Sequence, residues 1–172
     1  MANKQALREL QTRLAERLQA ARSEPLGRSW LAVECSARGF LFPLGEAGEI
    51  FAMAPLSPVP HSQPWFVGVT NLRGHLNGVV DLAAFLGIKT GDASRDEARL
   101  VGFNQGLNVN CVLLVDSLSG LRSEDELTPQ TDDGQVRPAF AGTCYRDAAG
   151  RIWQELRLAA LAEDESFLKI VD

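Results

Sequence analysis

The sequence predicts a mainly β protein with a helix at each end and one short helix in the middle. After residue 28, short apolar segments alternate with Gly, Pro and Asn turn signals, spaced about eight to twelve residues apart as in β-barrels and β-sandwiches. Before residue 28, leucines recur on one helical face. A chain of 172 residues is long enough for one sizeable domain, or for two small subdomains that share a core.

The net charge and the Cys and His content of the sequence argue against several classes of partner and of binding site. The net charge is −5 and the pI about 5.1, without a basic stripe, which argues against nucleic acid and anionic membranes as partners. The three cysteines and two histidines have no metal-ligand spacing, so we expect no metal and no other cofactor. Cys35, Cys111 and Cys144 are expected to be reduced core residues. No apolar run approaches the roughly 18 residues of a membrane span, so no direct membrane insertion is expected and the chain is predicted to be cytoplasmic.

The N-terminal segment predicts a helix over residues 4–22. Leu7, Leu10, Leu14 and Leu18 form one apolar stripe, and Pro25 with Gly27 is expected to end the helix. Two interpretations stay open: the stripe packs on the chain's own domain, or it docks into a partner's groove.

The first half of the remaining chain predicts four strands and a short helix. Residues 46–60 are rich in proline and are expected to form an edge or a connection. Asp81 is a suitable helix N-cap and Gly87 a suitable terminator. The strands are expected at Ser29–Ser36, Phe40–Leu44, Phe66–Arg73 and Leu76–Val80, with the first turn at Arg38-Gly39.

The second half follows a polar segment, Lys89–Arg99, that is expected to be mobile. Residues 117–135 are rich in Ser, Asp, Glu and Thr and are expected to form a long solvated loop with room for one strand. A terminal helix is expected near Leu156–Glu163. Two hairpins are predicted, one of Leu100–Asn104 and Val109–Val115 and the other of Phe140–Tyr145 and Arg151–Leu156.

Catalytic motifs are absent from the sequence, which therefore predicts a protein that is not an enzyme. It contains no nucleophile elbow, P-loop, dinucleotide-binding fingerprint or zinc-protease motif. His61 and His75 lie at turns and are expected to be exposed. The carboxylates at 124–126 and at 132–133 lack the alternating spacing of a calcium loop and are expected to be solvated.

Arg73 closes an apolar strand and has two interpretations. It can pair with Asp81 or another nearby carboxylate and hold a turn, or its planar guanidinium can face a partner. Asn71 is expected to bond to nearby backbone. The tryptophans at 30, 65 and 153 are expected in the core or at its rim.

Several motifs together resemble the CheW-like coupling domains of bacterial chemotaxis. The most specific are the Gly-Val-Thr-Asn-Leu-Arg-Gly run at 68–74 and the Val-Asp-Leu at 80–82. Gly39–Leu44, Gly48-Glu49-Ile50 and Val112–Asp116 resemble further elements of that family, and the resemblance covers about residues 29–160. The N-terminal helix, the run at 45–49 and Trp153 look most like the PilI-type adaptors of type IV pilus (twitching motility) systems.

The resemblance implies two interleaved, five-stranded, SH3-like β-barrels and a non-catalytic adaptor. Such an adaptor binds the regulatory domain of a CheA-like histidine kinase and the cytoplasmic tip of a methyl-accepting-type chemoreceptor, through which it is recruited to membrane receptor arrays. The implied division is 1–28 helix and linker, 29–165 CheW-like domain and 166–172 tail. The partner-binding residues implied by position are Ala47, Glu49, Ile50, Gly68, Asn71, Leu72, Arg73 and Gly74.

The sequence also departs from the family pattern. Asn77-Gly78 stands where the family has an apolar residue and proline; taken alone, Asn-Gly would signal a hairpin turn. We keep the family register, with the turn near Gly74-His75. Val112 replaces a small glycine.

Three alternative functions remain. The altered positions fit a divergent decoy or regulator that binds the kinase without coupling it to receptors. A small β-barrel that binds nucleic acid would need a basic groove with stacking aromatics, whereas this chain is acidic and has one tyrosine. An unrecognised hydrolase would need a nucleophile and a base, for which the sequence offers no candidates.

Overall fold

The computed structural model describes residues 2–23, 27–91 and 95–171. The α-helices in these ranges are α1 Ala2–Ser23, α2 Leu82–Phe85, α3 Leu158–Leu161 and α4 Glu165–Leu168. The strands are β1 Ser29–Cys35, β2 Arg38–Pro43, β3 Ala47–Ala52, β4 Phe66–Leu72, β5 His75–Asp81, β6 Arg99–Phe103, β7 Cys111–Val115, β8 Ser117–Ser123, β9 Thr128–Pro129, β10 Ala141–Arg146 and β11 Ile152–Leu156.

The strands form two interleaved sheets, which confirms the predicted fold class. The first sheet has the order β8-β1-β2-β11-β10-β9, and the second has the order β3-β6-β7-β5-β4. The chain leaves the first sheet after β2, builds the whole second sheet, and then returns. The sixth strand of the first sheet, β9, has only two residues, so this sheet is the predicted five-stranded unit with a short extension.

The central strands bury both of their faces. In β1, Trp30 and Ala32 face a small cluster with Trp153, whereas Leu31 and Val33 face a large cluster that both sheets share. The second sheet has its own inner cluster of Leu72, Val79, Leu100 and Val112. Because successive residues point to opposite faces, burial on both sides requires the continuous apolar runs seen in the sequence.

The first hairpin turns two residues earlier than predicted. Ser36 and Ala37 occupy the turn with φ of 48° and 62°, and Gly39 already lies within β2. The prediction of a turn at Arg38-Gly39 was wrong, because Gly39 is required inside β2 and not in the turn. A Cβ at position 39 would lie 2.5 Å from Cε3 of Trp153, so Gly39 permits the close approach of β11.

The β4–β5 hairpin keeps the register inferred from the resemblance, with the turn one residue earlier. Leu72 pairs with His75, and Arg73 and Gly74 form the turn with φ of 51° and 81°. The Asn77-Gly78 pair lies inside β5, where Gly78 pairs with Val69.

The short helix α2 forms as predicted. The carboxylate of Asp81 accepts a hydrogen bond from the N–H of Ala84 at 3.2 Å, and Gly87 follows the helix with φ of 71°. Lys89 forms an ion pair with the other Asp81 oxygen at 2.8 Å. This pairing corrects the suggestion that Asp81 is the partner of Arg73.

The predicted solvated loop at 117–135 holds a full strand. β8 pairs with β1 along its length, so the strand that the prediction left room for lies at residues 117–123. β8 is the edge strand of its sheet and remains partly exposed, which explains its Ser, Gly and Arg content. Residues 131–135 are exposed as expected.

Both chain ends are helical. α1 matches the prediction for 4–22, and Leu7, Leu10 and Leu14 are each more than half exposed. The side chain of Leu18 and the predicted helix end at residues 24–26 lie outside the described residues, as does 92–94 of the polar segment. The terminal helix is α3, and α4 follows it with Phe167 buried in the shared core. In the part of the chain that the structure describes, no helix is long and apolar enough to span a membrane.

Candidate functional site

An exposed ion pair joins the two elements that the sequence singled out. Arg73, in the β4–β5 turn, pairs with Glu49 of strand β3. Their side chains are 75% and 43% exposed, so the pair lies at the surface. Asn71 fixes the turn, because its Oδ1 accepts the N–H of Gly74 at 2.9 Å. This bond confirms the predicted backbone role of Asn71.

Strand β3 presents Glu49 through an irregularity in its pairing. Its register with β6 shifts between Ala47 and Ile50, and such bulges redirect side chains. Gly48 lies against the backbone carbonyl of Phe103, where any Cβ would collide. The glycine therefore lets β3 approach β6 at the point from which Glu49 reaches Arg73.

Beside the ion pair lies an open groove of about 480 Å³. Its walls come from β3, the β4–β5 hairpin and the segment that leads into β7. Most of its lining side chains are polar, and they include His75, Asn77, Gln105, Asn108 and Asn110. A shallow polar groove next to an exposed ion pair suits recognition of a protein surface more than enclosure of a small molecule.

The structure divides the eight predicted partner-binding residues into two groups. Glu49, Ile50, Asn71, Arg73 and Gly74 are exposed and Ala47 is half-buried, so these six are at least partly accessible to a partner. Gly68 and Leu72 are buried instead.

The two buried residues act from beneath this face. A Cβ on Gly68, whose φ is 141°, would lie 2.5 Å from the carbonyl oxygen of Ser57, and Leu72 packs in the inner cluster of its sheet. They support the surface rather than presenting side chains to a partner.

Sequence reasoning missed one residue of this region. Leu76 pairs with Asn71 across the hairpin and is 67% exposed. Because His75 and Asn77 line the groove, Leu76 between them points to the opposite side of β5 and not into the groove. Alternation along β5 could have identified it, because Leu76 lies out of phase with the buried Val79.

Of the positions that depart from the family pattern, Val112 and Gly78 pack against other residues and Asn77 lines the groove. Val112 is buried at 2% exposure, and Gly78 lies beneath the ring of Phe66, where a Cβ would be 2.7 Å from Cε2. The departures at Val112 and Gly78 therefore change packing rather than a binding surface. Asn110 is exposed, and its carbonyl accepts the N–H of Gly78 at 2.9 Å.

The ionisable groups offer little chemistry. Burial raises the pKa of the Cys35 and Cys111 thiols to about 12, which makes both poor nucleophiles at neutral pH. His61 and His75 are exposed as predicted. Across residues 2–23, 27–91 and 95–171, no group of His, Cys, Asp and Glu side chains is arranged to hold a metal ion.

Comparisons with known proteins agree with this architecture. A family model described as CheW-like domain matches residues 29–166. Protein PilI of Pseudomonas aeruginosa is 27% identical over 164 residues, which cover 92% of this chain and 88% of PilI. Chemotaxis protein CheW of Rhizobium meliloti is 31% identical over 141 residues, covering 81% of this chain and 86% of that protein.

A solved structure shares the fold. The scaffolding protein TtCheW from Thermoanaerobacter tengcongensis superposes with a TM-score of 0.63 at 17% identity, over 76% of this chain and 88% of TtCheW. Together, the family match over 29–166 and the interleaved sheets show that this chain belongs to the CheW-like domain family.

Proposed function

We propose that this chain is a non-catalytic adaptor that couples the cytoplasmic tip of a chemoreceptor to the regulatory domain of a CheA-like histidine kinase. The observation that carries the proposal is the exposed Glu49–Arg73 pair on a CheW-like fold. The similarity to PilI over 92% of the chain supports placing the pathway among the chemotaxis-type systems of type IV pili and twitching motility.

The energetics of the ion pair favour recognition over stability. Pairs this exposed contribute only about 0–1 kcal/mol to folding. Arg73 also adopts a left-handed conformation with φ of 51°, which costs a residue with a Cβ about 1–2 kcal/mol. An arginine held in an unfavourable conformation for a weak pair is better explained by a contact that it makes with a partner.

The composition of the face indicates a modest, reversible interface. Ile50 supplies exposed apolar area, and the ion pair and asparagines supply the polar part. Transient signalling interfaces usually combine these features. The adaptor controls the kinase only to the extent that it binds one kinase conformation more tightly than the other.

The test is a titration of the full chain into the isolated kinase regulatory domain and, separately, into the receptor tip, followed by calorimetry. We expect micromolar binding to both, and Arg73→Glu is expected to weaken receptor binding about tenfold or more while the circular dichroism spectrum is unchanged. Arg146→Glu, an exposed change on the other sheet, is the matched control. Receptor binding unaffected by Arg73→Glu would remove this face from the site.

A charge swap separates the role of the pair from the role of its arginine. Glu49→Arg combined with Arg73→Glu keeps an ion pair but reverses its polarity. If the pair serves only to hold the turn, the double variant binds like the wild type. If Arg73 contacts the receptor, binding stays weak.

The same titrations distinguish the decoy alternative. A decoy binds the kinase domain, fails to bind the receptor tip, and lowers receptor-stimulated kinase activity when it competes with a standard coupling protein. Val112 is buried and Gly78 packs beneath Phe66, so these two positions give this alternative no support, whereas Asn77 lines the groove beside the ion pair.

A further inference from the structure

The groove beside the Glu49–Arg73 pair has side-chain amides on its walls and an apolar floor. The floor includes Leu72 and Val112, which belong to the inner cluster of the second sheet. Among the described residues that line the groove, the carboxylate of Glu49 and the guanidinium of Arg73 pair with each other. The groove therefore offers a partner hydrogen bonds without an unbalanced charge from this pair.

Two asparagines lie on adjacent segments at this groove. Gly78 pairs with Cys111 in the parallel register of β5 and β7, so Asn77 and Asn110, each one residue earlier, lie side by side. The N–H of Gly78 donates to the carbonyl of Asn110 at 2.9 Å, which holds the two segments together. Because alternate residues share a face, both side chains project on the same side as Val112, which also lines the groove.

Most of the hydrogen-bonding capacity of these two amides is unused within the chain. Asn77 is half-buried, and its side chain donates one hydrogen bond, to the carbonyl of His75 at 3.1 Å. Asn110 is exposed, and its side-chain amide forms no hydrogen bond with the other described residues. A carboxamide has two N–H donors and an oxygen with two lone pairs, so the two asparagines can present both donors and acceptors to a partner.

The unused amides discriminate among the side chains that a partner helix could place in the groove. An apolar side chain would exclude water from both amides without replacing its hydrogen bonds, which is unfavourable. A charged side chain would lose its own water and find no free counter-charge, because Glu49 and Arg73 neutralise each other. A carboxamide fits, because it donates and accepts hydrogen bonds at once.

We propose that Asn77 and Asn110 determine the specificity of the receptor-binding face, and that they recognise a Gln or Asn side chain on a helix of the receptor tip. This inference rests on the proposed function, in which the surface around the Glu49–Arg73 pair binds that tip. Asn77 stands where the CheW-like pattern has an apolar residue, so this chain should discriminate against receptor tips that present an apolar side chain at this point.

The test is a titration of the full chain and its variants into the soluble receptor tip, followed by calorimetry. Asn77→Leu and Asn110→Leu replace each amide by an apolar side chain of similar shape, and each is expected to weaken binding about tenfold or more. Gln135→Leu, which removes an exposed amide outside the groove, should bind like the wild type. Circular dichroism and the urea midpoint establish that each variant is folded.

A reciprocal scan identifies the group on the partner. Each Gln and Asn of the receptor tip is replaced in turn by Leu, and one replacement is expected to weaken binding to the wild-type chain about as much as Asn77→Leu does. Combining that tip variant with Asn77→Leu should restore the affinity to within about threefold of the wild-type complex, because neither side then has an unsatisfied amide. Losses that simply add would contradict a direct contact.

Further results would overturn the inference, and they separate its failure from that of the proposed function. If Asn77→Leu and Asn110→Leu bind the tip at least as tightly as the wild type while Arg73→Glu weakens binding, the asparagines do not determine specificity and the proposed function stands. If the loss at Asn77 couples to a charged residue of the tip, the groove recognises charge and not a carboxamide. If the wild type does not bind the tip, the proposed function fails and this inference fails with it.

Discussion

Gly39→Ala should destabilise the fold although it adds only one methyl group. Gly39 lies in β2 opposite Trp153 of β11, and the new Cβ would lie 2.5 Å from Cε3 and 2.8 Å from Cζ3 of the indole. Contacts this short do not occur between carbon atoms, so either the ring or the strand must move.

Neither can move easily. Trp153 is 1% exposed, its Nε1 donates to Asp147 at 3.0 Å, and the Arg151 guanidinium lies 4.6 Å from the ring centroid. Strand β2 is held on both sides, by β1 and by β11. Overpacking at such sites costs about 1–3 kcal/mol, and the reduced freedom of the unfolded chain returns less than about 1 kcal/mol. We expect a net loss of about 2 kcal/mol, which corresponds to a melting temperature lower by about 4–8 °C.

The assay is urea unfolding followed by circular dichroism, with Gly45→Ala as the matched control. A Cβ at Gly45 meets nothing within 4 Å, so this variant should unfold at the wild-type midpoint. If Gly39→Ala unfolds within about 0.5 kcal/mol of the wild type, the reasoning that Gly39 is needed for the approach of β11 is refuted.

Three further outcomes follow from single side chains. Asp81→Ala removes both the α2 cap and the partner of Lys89; we expect a loss of about 1–2 kcal/mol in urea unfolding, and no change would refute the cap. The hydrogen bond from Arg151 is the main cause that lowers the pKa of Glu34 in the folded protein. The contribution of Glu34 to the free energy of unfolding is therefore present above its unfolded-state pKa, and it is lost as the pH falls through the lower folded-state pKa. Glu34→Gln should make the free energy of unfolding less dependent on pH in this acidic range. Cys144 is the only cysteine of the three that is not buried. A thiol reagent should therefore modify one thiol quickly in the native protein and all three thiols in urea. Rapid labelling of all three in the native protein would contradict the burial of Cys35 and Cys111.

Local signals in the sequence were sufficient to predict an element where one residue determines its cap or its end. Asp81 and Gly87 bound α2 as predicted, because a carboxylate cap and a glycine with positive φ act within a few residues. Prediction failed where a distant contact overrides the local signal. Gly39 looks like a turn residue, but its role depends on Trp153, which is far away in sequence. The strand allowed within residues 117–135 could not be positioned from the sequence, because an edge strand such as β8 pairs on one side only and keeps polar residues.

In the candidate site, too, the locally determined features were predictable and those that depend on distant contacts were not. The run from Gly68 to Gly74 was recognisable, and so was its turn. That Glu49 is the partner of Arg73 depends on how β3 bulges against β6, which local sequence does not encode. The burial of Gly68 and Leu72 likewise depends on which face of β4 turns inward.

The interleaving of the two sheets has a consequence for how this protein is made. β2 pairs in parallel with β11, which leaves the ribosome roughly a hundred residues later. β1 and β2 must therefore wait with both edges of their hairpin open, because their neighbours β8 and β11 are synthesised only after the entire second sheet. Contacts so distant in sequence slow folding, and an unpaired edge invites association with other chains. A nascent chain arrested before β11 should depend on chaperones, and neither sheet is expected to survive as an independently expressed fragment.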